Sequence, residues 1–128
     1  MSIRFQSIAT TVGPTNGSAN AILIPEMTYT FNLDITALIE ILFSGTFSNT
    51  NANRGAIITC IIDGVSAANM QRTVNIAGAG NDTPISTQGM FYLCPGTHTI
   101  SMFFVADVNT ATAVGIERSL TIIEEELP

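Results

Sequence analysis

Few residues of this chain are of types that perform catalysis. The sequence contains one histidine, His98, and two cysteines, Cys60 and Cys94. His98 follows a turn, and no Gly-x-Ser-x-Gly motif supplies a nucleophile for it. Zinc requires more ligands at close spacing than Cys94 and His98 provide. We interpret His98 as structural and both cysteines as free thiols in a core, because a disulfide between them would need an oxidising compartment.

The ten acidic side chains also lack a catalytic arrangement. Calcium loops of the EF-hand type place carboxylates at fixed intervals, and this sequence has no such spacing. A small hydrolase would need two carboxylates in one cleft, with Asp82 and Asp107 as the candidates. The sequence therefore predicts a protein that is not an enzyme and that uses neither a metal nor another cofactor.

The charge balance excludes two classes of partner. Ten acidic residues, four arginines and no lysine give a formal net charge of −6. Arg4, Arg54, Arg72 and Arg118 are scattered, so no basic patch is expected for nucleic acid or for an anionic membrane. No stretch reaches the roughly 18 apolar residues of a membrane span, and the N-terminus lacks a secretory apolar region. We expect synthesis in the cytoplasm of a host cell.

The chain is rich in residues that favour strands and turns. Apolar and polar residues alternate from Met27 to Leu33, and β-branched residues are abundant throughout. Pro25 predicts the end of a short strand that begins at Ala21, and 77–88 is predicted to be a Gly- and Asn-rich connection. The fold class expected is all-β: one antiparallel β-sandwich of jelly-roll type over residues 1–128, with eight to nine strands.

The amount of apolar surface predicts an oligomer. The segments Ile57–Ile62 and Thr97–Ala106 carry apolar side chains on both faces, whereas an antiparallel sandwich strand ordinarily has one wet face. We therefore expect Ile57 and Ile61 to contact a second subunit, unless the chain's own loops cover them. Arg118 interrupts an apolar strand and, if buried, needs an acidic partner such as Glu40 or Glu117 of a neighbour. Otherwise Arg118 faces outwards at a change of register.

Two segments carry a resemblance to a known family. They are the run from Leu93 to Met102, which includes Pro95-Gly96-Thr97-His98-Thr99, and the later run from Glu117 to Glu124. Together they resemble the last strands of small jelly-roll virion proteins of tailed bacteriophages. Those proteins are similar in architecture to the trimeric heads of the tumour-necrosis-factor and C1q type. The resemblance covers about a third of the chain. Many fibre proteins carry a collagen-like or coiled-coil stalk that this sequence does not show, so we expect a free-standing decoration protein rather than a fibre tip.

The resemblance implies a homotrimeric capsid decoration (cement) protein or head-fibre protein that docks on the major capsid protein of a virion. Carried over to this chain, it implies that the last strand lies near the threefold axis. The expected subunit contacts of that strand are Ile116, Arg118, Leu120 and Ile122. For the capsid contact we select Ile3, Arg4 and Phe5 of the first strand and Asn51, Asn53 and Arg54 of the loop 48–55, since these mix apolar and hydrogen-bonding groups.

One alternative function belongs to a different class. The chain could be a receptor- or glycan-binding tip of a phage fibre or cell-surface protein. That function requires an exposed pocket with aromatic side chains and convergent polar groups, and 77–88 is the segment where we look for it.

Overall fold

The described residues of the computed structural model form two antiparallel sheets. The structure describes residues 2–9, 13, 15–16, 20–50, 54–76, 78, 81–106 and 112–125. Its strands are β1 (Ser2–Ile8), β2 (Thr15–Asn16), β3 (Ile22–Leu33), β4 (Ala37–Asn49), β5 (Arg54–Ile62), β6 (Val65–Ser66), β7 (Arg72–Ile76), β8 (Thr83–Leu93), β9 (Gly96–Ala106) and β10 (Thr112–Glu125).

Neighbouring strands in each sheet come from distant parts of the chain. The first sheet has the order β1-β10-β4-β8, with β2 paired to β10. The second sheet has the order β3-β9-β5-β6, with β7 paired to β5. Successive long strands therefore alternate between sheets, as jelly rolls require. This architecture confirms the expected all-β antiparallel sandwich of jelly-roll type.

Side chains alternate between the inner and outer faces along each strand, and those that point inwards form the core between the sheets. In β4, Ile39, Ile41, Phe43 and Phe47 point inwards and have at most 2% of their surface exposed. The ring of Phe47 lies 6.0 Å from that of Phe104 in the opposite sheet. A second aromatic group joins the sheets at the other end of the sandwich, where Phe5 stacks on Tyr29 and Tyr29 on Phe31, with ring centroids 4.3 Å and 5.3 Å apart.

Three local predictions were wrong. Pro25 does not end a strand, because β3 continues through it with a shift of register between Leu23 and Thr28. Glu26, within that irregular stretch, has φ of +69°. The connection expected over 77–88 is shorter, since β8 already begins at Thr83. The strand that the sequence predicts over Met70–Ile76 begins at Arg72, because Met70 ends a short 3-10 helix over Ala68–Met70.

The turn between β5 and β6 depends on a left-handed backbone at both central residues. Asp63 has φ of +53° and Gly64 has φ of +83°. Asp-Gly is a favoured pair for such a two-residue hairpin turn, because aspartate tolerates this conformation and glycine has no Cβ to clash. The turn holds the Asp63 carboxylate at the end of the sandwich. Among the described residues, no helix is long and apolar enough to cross a membrane.

The aromatic contact between the sheets gives a first testable prediction. Phe104 is fully buried, so Phe104→Ala should lower the free energy of unfolding by about 3–5 kcal/mol through lost burial and the cavity left behind. Tyr92→Ala is the control, because Tyr92 is 68% exposed; it should change stability by about 0.5 kcal/mol or less. Urea unfolding measures both. Equal losses of unfolding free energy in the two variants would contradict this assignment of the core.

Candidate interaction surfaces

Arg118 is a buried cation that the chain satisfies internally. Its Nη2 lies 3.2 Å from Glu26 Oε1, its Nε donates to the Pro25 carbonyl at 3.1 Å and its Nη1 donates to the Gly115 carbonyl at 2.7 Å. Burial lowers the pKa of the guanidinium, and the Glu26 carboxylate acts in the opposite direction. The acidic partner expected from a neighbouring subunit is therefore Glu26 of the same chain, which corrects the role predicted for Glu40 or Glu117.

The last strand contributes its apolar side chains to the core of its own chain. Leu120 and Ile122 are 0% exposed and Arg118 is 2% exposed. Side chains with so little free surface offer almost nothing for contact with another subunit, so the burial does not favour the interface role expected for these three residues. The sequence could not indicate that the second sheet covers them. The backbone of Ile116 lies in β10, but its side chain falls outside the described residues.

The outer surface of the second sheet carries apolar side chains on neighbouring strands. Ile57 lies opposite Val105, and Phe103 lies between Thr59 and Leu23. Opposite residues of an antiparallel pair point to the same face. We call this surface the neutral face and define it by five residues, Leu23, Ile57, Ile61, Phe103 and Val105. Leu23 is 43% exposed, and the others are half-buried in the single chain.

Charge is absent from the neutral face among the described residues. The outward positions of β9 carry Thr97, Thr99 and Ser101 besides Phe103 and Val105, and those of β3 after its bulge carry Thr28, Thr30 and Asn32. Ile57 and Ile61 were expected here from the apolar run. Phe103 and Val105 belong to the segment Thr97–Ala106, which was expected to be apolar on both faces, although they were not named as contacts. Leu23 was missed.

The outer surface of the first sheet is apolar and acidic. Glu40 lies opposite Met90 on one side and Ile123 on the other, and Ile123 lies opposite Ile3. Leu38, next to Tyr92, and Leu42 flank Glu40 along β4. We call this surface the acidic face and define it by Ile3, Leu38, Glu40, Leu42, Met90, Tyr92 and Ile123. Ile3, Met90 and Tyr92 are 62%, 50% and 68% exposed.

The residues expected to contact a capsid lie in different environments. Ile3 is exposed on the acidic face, whereas Arg4 and Phe5 point into the sandwich at a bulge of β1. The Arg4 guanidinium lies 3.3 Å from Glu124, donates to the Asn32 carbonyl at 2.9 Å and lies over the Phe31 ring. Arg4 and Phe5 are therefore engaged largely within the chain, and the capsid contact expected of them stays a prediction. Asn51, Asn53 and the side chain of Arg54 lie outside the described residues.

His98 bridges two turns at one end of the sandwich. Its Nδ1 lies 2.6 Å from Asp63 Oδ2, and its Nε2 lies 2.6 Å from the Cys94 carbonyl oxygen. Both partners are acceptors, so only the doubly protonated ring donates to both. The bond to Asp63, with that to Cys94, raises the pKa of His98. Burial acts to raise the pKa of Asp63, but bonds from His98 and the Thr99 amide outweigh it and lower that pKa.

This arrangement does not resemble a catalytic or zinc centre. His98 contacts the carbonyl of Cys94 rather than its thiol. Both cysteines are free, but Cys94 is exposed and only Cys60 belongs to the core, where burial raises its pKa to about 12. Among the described residues, no three His, Cys, Asp or Glu side chains cluster as metal ligands would. Asp82 is exposed, and Asp107 lies outside the described residues.

An apolar hollow lies between β6 and β8. Its lining includes Val65, Phe91, Leu93 and the exposed ring of Tyr92, with Ser66 as a polar member. The aromatic pocket required by the alternative function was expected in 77–88. The hollow occupies instead the opposite end of β8, where the two-residue strand β6 leaves that edge open.

Comparison with known proteins supports the fold and not a family. No protein family and no curated protein sequence matches the chain. Solved structures that resemble it include infectious bursal disease virus Gt strain, at 13% identity and TM-score 0.59 over 94% of this chain and 32% of that chain. The VP2 subviral particle of infectious bursal disease virus is similar at 12% identity and TM-score 0.57, over 92% and 31%.

A bacterial protein shares the same fold. Dimeric latent PorU from Porphyromonas gingivalis matches at 10% identity and TM-score 0.55, over 94% of this chain and 12% of that chain. The chain thus spans about a third or less of these proteins. At such identities the likeness shows the fold alone, and one fold hosts many functions.

The Arg118 site gives a second prediction. Arg118→Met should destabilise the chain by about 1–3 kcal/mol for each buried carbonyl that loses its donor. Arg72→Met makes the same chemical change at an exposed residue and should cost about 0.5 kcal/mol or less. Urea unfolding at neutral pH measures both variants. Similar stabilities for the two would show that Arg118 does not stabilise the bulges.

The His98 site gives a third prediction, on pH. Because the folded pKa of His98 is raised, its stabilisation is complete below about pH 6.5 and is lost as pH rises through the folded pKa. NMR titration should give a midpoint above about 6.5 for this one histidine, and a lower midpoint in Asp63→Asn. Asp82→Asn, at an exposed carboxylate, should leave the midpoint unchanged. An unshifted midpoint in Asp63→Asn would contradict the bridge.

Proposed function

We propose that this chain is a non-enzymatic structural protein of a virion, a homotrimeric decoration or head-fibre protein that docks on the major capsid protein. The observation that carries the self-association is the neutral face. Its apolar side chains cover neighbouring strands of one sheet, and no charge interrupts them among the described residues. Oligomer interfaces resemble a divided core, depleted of charge and enriched in aromatic and aliphatic groups.

The charge of the chain favours this face for contact between copies. Identical chains with a net charge of −6 repel each other, and the repulsion increases as carboxylates approach. The neutral face brings no carboxylate of its own into such a contact. Threonine and serine hydroxyls around the apolar residues supply hydrogen bonds at the rim. Ile57 and Ile61 keep their predicted interface role in this proposal, and Leu23, Phe103 and Val105 join them.

The virion role has independent support. The fold is shared with infectious bursal disease virus VP2, and the segments from Leu93 and from Glu117 resemble jelly-roll proteins of phage virions. The mechanism is mechanical: a trimer that binds only assembled shells stabilises them by mass action. The protein would be made in the host cytoplasm and reside in the virion.

The hollow beside Tyr92 favours a second candidate, a receptor- or glycan-binding tip. Its exposed aromatic ring is a surface on which a sugar could stack, although one serine is its main polar group. A glycan array probed with the wild type and with Tyr92→Ala separates the two candidates. Specific glycan binding that depends on Tyr92, with no affinity for shells, would replace the decoration role.

The fourth prediction tests assembly. Light scattering at micromolar concentration should give about three times the 13.6 kDa chain mass for the wild type. Ile57→Asp should lower the mass towards one chain, because each copy would bury an unpaired carboxylate. Ser86→Asp adds the same charge at an exposed position of the first sheet and should leave the mass unchanged. A wild-type mass near one chain would overturn the trimer, and absence of binding to undecorated shells would overturn the virion role.

A further inference from the structure

We propose that the acidic face docks a protein surface that presents a lysine or arginine surrounded by apolar side chains. The inference deepens the proposed function, since the shell is the partner which that function requires. It names the surface of the chain that makes the contact and the chemistry of the group that it receives. The neutral face lies on the opposite sheet, so docking and self-association use different surfaces.

The position of Glu40 carries the inference. Its carboxylate lies in the middle of the acidic face, with Met90 and Ile123 opposite it and Leu38 and Leu42 along its own strand. A shallow hollow lined by Glu40, Gln88, Gly89 and Met90 opens there. The hollow combines a carboxylate with a thioether, which suits the aliphatic stem and charged end of a long basic side chain.

The chain supplies no cation to this carboxylate among its described residues. Arg4 is paired with Glu124, and Arg118 is buried beside Glu26. Arg72 begins β7 of the second sheet and borders a hollow with Leu42 and Gln88, but its guanidinium donates to the carbonyls of Asn69 and Gln71. A partner's basic side chain can therefore form an ion pair with Glu40 without displacing an existing one. Apolar neighbours exclude water from such a pair and strengthen it.

The other occupants of such a face fit less well. A second copy that met it face to face would bring Glu40, and Glu125 opposite Leu38, towards the same carboxylates of its partner, at the cost of like-charge repulsion. An anionic lipid surface would be repelled for the same reason. A basic, partly apolar protein surface matches both the charge and the exposed Ile3, Met90 and Tyr92.

The test uses a probe of defined chemistry on the whole chain. A short capped peptide of alternating leucine and lysine is titrated against the protein, with the methyl signals of Ile3, Met90 and Ile123 observed by NMR. The matched peptide of leucine and glutamate is the chemical control. We expect saturable shifts of the three methyl groups with the lysine peptide only. Absence of saturable shifts, or equal shifts with the glutamate peptide, would overturn the inference.

Two substitutions that make the same change of charge test whether the peptide binds beside Glu40. Glu40→Lys should weaken binding of the lysine peptide by about tenfold or more. Glu117→Lys makes the same change at an exposed residue of β10 and should weaken it far less. Glu40→Gln removes the charge with little change of shape, so it replaces Glu40→Lys if that variant misfolds. Undiminished binding by the Glu40 variants would overturn the inference.

Binding of the wild type and the Glu40 variants to undecorated shells distinguishes a failure of this inference from a failure of the proposed function. Shells that bind the wild type and the Glu40 variants equally would overturn the acidic face as the docking surface and leave the virion role in place. Shells that bind neither, together with saturable peptide binding at the acidic face, would leave the face in place and overturn the virion role.

Discussion

The guanidinium of Arg118 connects the two sheets at the point where both depart from regular pairing. The ladder between β3 and β9 shifts between Leu23 and Thr28, and the ladder between β10 and β4 shifts between Val114 and Arg118. Carbonyls within such irregular stretches need donors other than the neighbouring strand. Arg118 donates to one carbonyl from each stretch and pairs with Glu26. One buried charge therefore satisfies carbonyls in the irregular stretches of both sheets.

The sequence contains enough to predict the layers of this fold, and less about what covers each strand. Alternation along Met27–Leu33 and along β4 indicates strands with one buried face, because side chains of a strand point alternately to opposite sides. Leu120 and Ile122 show the limit of that reasoning. Their pattern marks a buried face, but an identical pattern results whether a second sheet or a second subunit covers it. A proline is expected to end a strand whose pairing is regular. The pairing of β3 is irregular around Glu26, so Pro25 lies inside β3 without ending it.

The candidate surfaces were harder to predict because each is assembled from strands that are distant in sequence. Ile57 and Ile61 are visible in one apolar run, whereas Leu23 and Phe103 join them only through the order β3-β9-β5. Glu40 was considered as a partner for Arg118 because both charges were known and the pairing of strands was not. Once β10 and β8 lie on either side of β4, Glu40 becomes the centre of an apolar surface.

The two outer faces differ in charge, and this difference assigns them different partners. Arg4 and Arg118 are engaged within the chain, so carboxylates dominate the described outer surface. Contact between identical copies is opposed by these carboxylates and is least opposed at the neutral face, whereas attraction to a basic surface increases at the acidic face. Salt screens both effects, since exposed charges interact over roughly 8–10 Å at ordinary ionic strength. Added salt therefore favours association through the neutral face and disfavours docking through the acidic face, which makes the two contacts separable in one preparation.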